Sequence, residues 1–215
     1  PRYFAEYEEH FQLAVHRPVT VKAVRPGPDE RLLVESDAGT WATRAVINAT
    51  GTWNRPFWPY YPGRETFRGQ QLHAANYVGP WEFTGKRVVV VGGGITAIQL
   101  LPELAQAGAT TTWVTRRPPV FRDQPFTREY GREVVAMVEQ RVREGLVPQS
   151  VVSVTGLPVT GAVLEARRSG ALDRLPMFDR ITRDGVAWDD AQPGAPRSVE
   201  ADVILWCTGW RAALD

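Results

Sequence analysis

The sequence is poor in the residues that carry covalent and metal chemistry. It has one cysteine, Cys207, in 215 residues. That excludes an internal disulfide framework, a four-cysteine zinc site and a CxxC redox pair. Its three histidines, His10, His16 and His73, are too scattered to suggest a ligand cluster, and no metal is expected. Lysine is scarce as well: of 25 basic residues only Lys22 and Lys86 are lysines. That skew toward arginine says more about the coding genome than about chemistry, and it points to a GC-rich bacterium. Neither sign of charge dominates. A net charge of +1 gives no broad basic footprint, so no nucleic-acid partner is expected. No apolar run approaches the roughly 18 residues of a membrane span, and no signal peptide opens the chain. A cytoplasmic protein without a membrane partner is the expectation. The sequence opens at Pro1 without an initiator methionine and stops at Asp215 just after an apolar run. Both ends are therefore expected to continue in a longer protein.

The residues present are those of an ordinary globular chain, with 43% hydrophobic and 23% charged. The length allows one large domain or two small ones. Residues 2–15 carry Phe4, Tyr7, Phe11 and Leu13 on a helical spacing that runs into an extended segment. Strand-like runs at 19–24, 32–35 and 41–49, separated by turn-rich RPGPD and DAG, predict a small antiparallel meander. Residues 50–85 are aromatic, rich in proline and glycine and without period, and read as a connecting segment. From Lys86 the pattern changes. Arg87–Val91 is a β-branched run with VVVV at its heart, as in a strand buried on both faces. Gly92-Gly93-Gly94 follows, and Ile95, Ile98, Leu101, Leu104 and Ala105 then form a helical stripe that Gly108 is placed to end. Pro102 should kink that helix. Thr110–Thr115 is a second buried strand, which completes a βαβ unit. A second amphipathic helix is expected near 127–144, a hairpin near 178–189 with Asp184-Gly185 as its turn, and a last buried strand at Val203–Trp206. Two stretches echo each other: VINATGTW at 46–53 and ILWCTGW at 204–210 each run from an apolar strand into Thr-Gly and a nearby tryptophan.

The strongest chemical motif is Gly92-x-Gly94-x-x-Ala97 between a buried strand and a helix. Gly92 permits the tight turn, Gly94 leaves room for a pyrophosphate, and Ala97 lets helix pack closely on strand. The N–H groups of Ile95 and Thr96, with the positive end of the helix dipole, then face the phosphates. A purely structural glycine turn is the alternative. The second strand bears on the choice of nucleotide. An NAD site places an acid near its end, on the ribose 2′-hydroxyl. Here the strand ends Thr115-Arg116-Arg117, and two guanidiniums suit a 2′-phosphate. NADP(H) is thus favoured, against the plainer reading of two exposed arginines in an arginine-rich chain. No serine–histidine–acid or paired-carboxylate constellation is legible, so no catalytic side chain is assigned. Cys207 reads as a small buried residue.

Phe67-x-Gly69-x-x-x-His73-x-x-x-Tyr77 resembles the fingerprint of the flavin-containing and Baeyer–Villiger monooxygenases. Just before it, Ala49-Thr50-Gly51, Asn54, Pro56, Pro59 and Pro62-Gly63 resemble that family's ATG…N-x-P…P…PG stretch. The second Thr-Gly pair, Thr208-Gly209, resembles the element closing its NADPH domain, with Cys207 where alanine is usual. Tyr77, in place of the more common tryptophan, leans away from a Baeyer–Villiger enzyme. The glycine loop that holds FAD in this family has no counterpart before Gly92. WVTRRPPVF at 113–121 looks closest to bacterial flavoproteins of the pyridine nucleotide-disulfide oxidoreductase-like superfamily.

The resemblance implies an α/β fold: a Rossmann-like three-layer dinucleotide-binding domain over residues 85–210 with a small antiparallel β-meander flank. Residues 1–84 would be part of the FAD domain and its linker, and 211–215 the start of the return to it. It further implies that the longer protein binds FAD and NADP(H), reduces the flavin with NADPH and passes one oxygen atom to a small-molecule substrate. His73 would couple the nicotinamide domain to the flavin, or else fix a loop by hydrogen bonds; both readings stay open. A disulfide-reductase relative is disfavoured by the single cysteine, and a non-catalytic NADP(H)-binding module is the third reading. The apolar flank is expected to favour self-association.

Overall fold

The structure is a computed structural model that describes residues 2–146, 155–189 and 193–212. The chain divides into two compact units, residues 1–50 and 51–215.

The first unit begins with α1 (Arg2–His10), where the i, i+4 spacing stacks Tyr3 on Tyr7 and Tyr7 on Phe11, with ring centroids 6.3 and 4.5 Å apart. The predicted meander follows as β1 (Val21–Pro26), β2 (Leu32–Ser36) and β3 (Gly39–Thr43), antiparallel in the order β1-β2-β3. The third strand was expected to run to residue 49 but ends at Thr43. The five residues of β2 are fully matched by β3, so residues 44–49 have no strand opposite them in this unit. Ile47 accordingly stands 92% exposed. No residue from 2 to 50 is buried, so this unit has no core of its own.

The second unit is built on a five-stranded parallel sheet. Its strands are β4 (Gln70–His73), β5 (Arg87–Val91), β6 (Thr110–Thr115), β9 (Arg174–Pro176) and β13 (Val203–Trp206), in the order β4-β13-β5-β6-β9. Period-two alternation sorts the central strands between two cores. Val88, Val90, Trp113, Val203 and Leu205 point to one face, and Val89, Val91, Val114, Ile204 and Trp206 to the other. The first face is covered by α2 (Ile95–Gln106), α4 (Gly161–Arg168) and Phe83. The second is covered by an antiparallel sheet of β10 (Arg180–Thr182), β11 (Gly185–Ala187) and β12 (Ser198–Glu200). The layers are therefore helix, parallel sheet and antiparallel sheet. A two-rung ladder of β7 (Phe121–Arg122) and β8 (Leu157–Pro158) lies outside these sheets, as does α3 (Arg128–Arg143).

Helix boundaries follow their caps. In α2 the last turn closes with Gly108 N–H on Ala105 O at 3.0 Å and Ala109 N–H on Leu104 O at 3.0 Å, with Gly108 at φ +86°. This pair of bonds satisfies the last carbonyls and requires a left-handed residue. Pro102 lies within the helix, which continues through it. The N-cap Thr127 accepts from Tyr130 N–H at 3.2 Å, which starts α3 where it was expected.

Two expectations need correction. Residues 50–85 are more than a connector: β4 is an edge strand of the main sheet, and His73 and Phe83 are fully buried. A polar four-residue strand, QQLH, is too short to display a period. The hairpin turns at Arg183-Asp184, one residue earlier than expected, with Gly185 as the first residue of β11. A Cβ at Gly185 would stand 2.0 Å from Val199 O, so the glycine admits β12.

Candidate functional site

The site lies in the second unit, at the carboxyl ends of β5, β6 and β13. The backbone leaves β5 through Gly92, whose N–H donates to Val114 O at 2.9 Å and whose carbonyl accepts from Trp113 Nε1 at 2.7 Å. Gly92 has φ +139°, and a Cβ there would meet Cys207 O at 2.2 Å. Only glycine fits. Gly93 is ordinary by comparison, with Thr115 Cγ2 at 3.6 Å from an added Cβ. Gly94 differs again. It is the extended N-cap of α2, and a Cβ there would meet nothing within 4 Å. No side chain caps this helix at Gly94, so the N–H groups of its first turn lack a side-chain partner, and Thr96 lines the space that Gly94 leaves clear. Ala97 is fully buried against the sheet.

This space is a cleft of about 870 Å³. Gly92–Gly94 and Thr96 form its floor, Thr115–Arg117 one wall, and Cys207–Gly209 another. Ile95 and Ala97 support the floor without lining it. Phe57, Tyr60, Tyr61, Pro118, Pro119 and Met177 also line the cleft. Sequence reasoning missed these residues. Pro118-Pro119, directly after the arginines, was the available signal; Phe57–Tyr61 lay in a stretch read as a connector and matched to the family pattern only through its prolines, glycines and asparagine. Among the described residues no cluster of histidine, cysteine, aspartate or glutamate could hold a metal. Cys207 lines the cleft, but burial pushes its thiol pKa up to about 12, so it is a poor nucleophile.

The arginine wall is held from behind. Arg174 Nη1 donates to the carbonyl and to the hydroxyl of Thr115, both at 3.1 Å, and Thr115 Oγ1 donates to Arg117 O at 2.8 Å. Arg116 also lines a side pocket of about 420 Å³ with Tyr61, Pro176, Met177, Phe178 and Asp179.

Of the remaining motif residues, Thr208 and Gly209 line the opposite wall, and His73 is bonded to Gly209 behind it. Gly69 lets β4 lie against β13: a Cβ there would stand 2.4 Å from Asp202 O and 2.5 Å from the Phe67 ring. His73 ends β4, and its Nδ1 accepts from Ala75 N–H at 3.0 Å. Its Nε2 therefore carries the proton and donates to Gly209 O at 3.1 Å. Burial holds the imidazole below its ordinary pKa, partly offset by the Gly209 bond. Gly209 O also accepts from Phe57 N–H at 2.9 Å, and Thr208 Oγ1 donates to Phe57 O. The second Thr-Gly pair is thus tied to the 53–57 segment, and Trp53 stacks on Trp210 with centroids 5.2 Å apart. The tryptophans of the two echoing stretches are in contact. Tyr77 stacks on Phe83 at 5.7 Å; burial and the nearby Glu103 carboxylate raise its phenol pKa. Thr50 and Gly51 are exposed, and Thr50 is held in a turn by Asn48 Oδ1, which accepts from its N–H at 3.1 Å. Gly51, in the second unit, is not among the residues that line the cleft.

An uncapped helix N-terminus, a glycine floor and a wall of guanidiniums can receive a phosphorylated ligand. Residues 1–160 match the profile of the pyridine nucleotide-disulphide oxidoreductase family. A probable FAD-binding monooxygenase, AlmA, of Acinetobacter sp is 34% identical over 84 residues, 38% of this chain and 17% of that protein. A Baeyer-Villiger monooxygenase of Pseudomonas aeruginosa is 30% identical over 93 residues, 43% of this chain and 18% of that one. The solved structure of a flavin monooxygenase double mutant from Stenotrophomonas maltophilia is 36% identical with a TM-score of 0.75, covering 99% of this chain and 56% of its own. The chain spans just over half of that relative and aligns with less than a fifth of each curated one. With residues 1–160 matching its profile, the chain belongs to the pyridine nucleotide-disulphide oxidoreductase family, and it is similar to FAD-binding and flavin monooxygenases over the shares given above.

Proposed function

We propose that this chain is the NADP(H)-binding part of an FAD-dependent monooxygenase, with residues 85–210 as the nucleotide domain and residues 1–84 and 211–215 belonging with the flavin part. The observation that carries the reading is the open N-terminus of α2. Gly94 leaves unobstructed space at the start of a helix whose N-cap makes no side-chain hydrogen bond, and Thr96 lines that space. A pyrophosphate fits that chemistry. Gly92, Gly93, Gly94 and Thr96 would hold it, and Arg116 and Arg117 would take a ribose 2′-phosphate. Thr208 and Gly209 close the far wall, where His73 fixes the Gly209 carbonyl. NADPH, when bound, supplies a hydride; this chain's residues supply its position and the electrostatics around it.

The flavin is assigned to the longer protein, because the described residues contain one strand–glycine–helix cradle and the nicotinamide nucleotide takes it. A small organic substrate completes the reading: in the longer protein, NADPH oxidation would yield an oxygenated product or hydrogen peroxide. Dithiol chemistry is not assigned, since the chain offers only the buried thiol of Cys207.

The test is calorimetric titration of NADPH and NADH into the wild type and into an Arg116→Ala/Arg117→Ala double variant. A hydrogen bond to a charged group contributes roughly 1.5–3 kcal/mol. Losing both arginines should therefore weaken NADPH by about 10- to 1000-fold, while NADH, which lacks the 2′-phosphate, barely changes. Equal losses for both nucleotides, or none for either, would overturn the assignment.

A further inference from the structure

The rule that reads nucleotide preference from the end of the second strand assumes that the deciding charges lie there. In this fold a further charge enters from elsewhere. Beyond Arg116 the cleft continues into the side pocket, and its far wall is Met177, Phe178 and Asp179. These residues precede β10, some sixty positions away from the arginines in sequence.

Asp179 is held firmly. Its N–H donates to Ala187 O at 3.0 Å, and its Oδ2 accepts from Asp189 N–H at 2.9 Å. Phe178, fully buried beside it, anchors the segment, and Trp188 Nε1 donates to Pro176 O at 3.1 Å. The neighbouring cation, Arg180, is engaged with Asp189 at 2.6 Å. Among the described residues neither Asp179 nor Arg116 forms an ion pair. The carboxylate and the guanidinium therefore share one small pocket without neutralising each other in a direct contact. The Tyr61 hydroxyl registers both charges: burial raises its pKa, Arg116 lowers it and Asp179 raises it.

We propose that Asp179 is a second specificity-determining residue of the nucleotide pocket, opposing the 2′-phosphate that Arg116 attracts. The pocket's preference for NADPH over NADH is then smaller than its two arginines alone would set. Charge on the ribose is the only feature that separates the two ligands. A fixed carboxylate in the pocket acts on that difference, whereas the pyrophosphate is common to both. The inference rests on the proposed nucleotide site.

The test is Asp179→Asn, which removes the charge and keeps an oxygen to accept from Asp189 N–H. Two phosphate charges several ångströms from a carboxylate at a solvated rim repel it modestly. NADPH should bind about 3- to 20-fold tighter to the variant at low ionic strength, with the gain shrinking as salt is added. NADH affinity should change less than twofold. Asp179→Ser removes the same charge and should shift the NADPH:NADH ratio in the same direction. An unchanged ratio, or an equal change for both nucleotides, would overturn the proposal. Absence of binding by either nucleotide to the wild type would instead overturn the nucleotide site on which it rests.

Discussion

At the scale of single residues, His73 shows how a fingerprint position acts without chemistry of its own. Its two ring nitrogens have opposite duties, one accepting from Ala75 N–H and one donating to Gly209 O. Only the neutral ring can do both, because a protonated ring loses the acceptor. Its folded-state pKa is lowered by burial. The unfolded state then binds the extra proton more readily, and stability falls as the pH drops below the ordinary value of about 6.5. Denaturant unfolding at pH 7.5 and 5.5 should show that loss, and His73→Asn should flatten it at a general cost of about 1–3 kcal/mol for the broken bonds. A wild-type stability that is flat across this window would contradict the assignment. Asp202 does not confuse the measurement. Hydrogen bonds from Arg87 hold its carboxyl down to about 2, so its contribution is lost only as pH falls below the ordinary carboxylate range.

At the scale of elements, the glycine turn between β5 and α2 separates folding from binding. Gly92 and Gly94 are both motif positions, yet their surroundings differ. A side chain at Gly92 would face a backbone oxygen at 2.2 Å in a left-handed conformation, whereas one at Gly94 would enter open cleft. Gly92→Ala should therefore destabilise the second unit by more than about 2 kcal/mol through strain and clash. Gly94→Ala should cost less than about 1 kcal/mol as an N-cap change and yet weaken NADPH at least tenfold. Thermal unfolding with a binding titration on each variant would check this; if Gly94→Ala binds normally, the phosphate lies elsewhere. The same unit shows what was legible in the sequence. The strands and helix of the βαβ, Arg87–Val91, Ile95–Gln106 and Thr110–Thr115, fall where the β-branched run, the apolar stripe and Gly108 put them. Strong periods survive because both faces of these strands are buried. Strand β4 and the cleft wall at 57–61 were hidden for the converse reason: short polar or aromatic segments take their conformation from distant partners such as Asp202 O and Gly209 O. Asp179 was hidden because nothing local links a hairpin residue to a glycine loop some ninety positions earlier.

At the scale of the whole molecule, the two units differ in kind. Residues 51–215 close two hydrophobic cores around one sheet. In residues 2–50 none is buried, while Tyr3, Phe4, Phe11, Val21, Trp41 and Ile47 are exposed. An apolar, three-stranded flank without a core tends to find a partner. The chain should self-associate through it, and sedimentation should show mass rising with concentration; a strict monomer at high concentration would count against this. No described helix is long and apolar enough to cross a membrane. The central claim is that the cleft at the strand ends holds NADP(H), and a crystal structure of the chain with NADP⁺ tests it most directly. The account predicts the pyrophosphate on the N–H groups at the start of α2, beside Gly94, with the 2′-phosphate at Arg116 and Arg117. A nucleotide bound away from Gly94, or a 2′-phosphate turned away from both arginines, would contradict it.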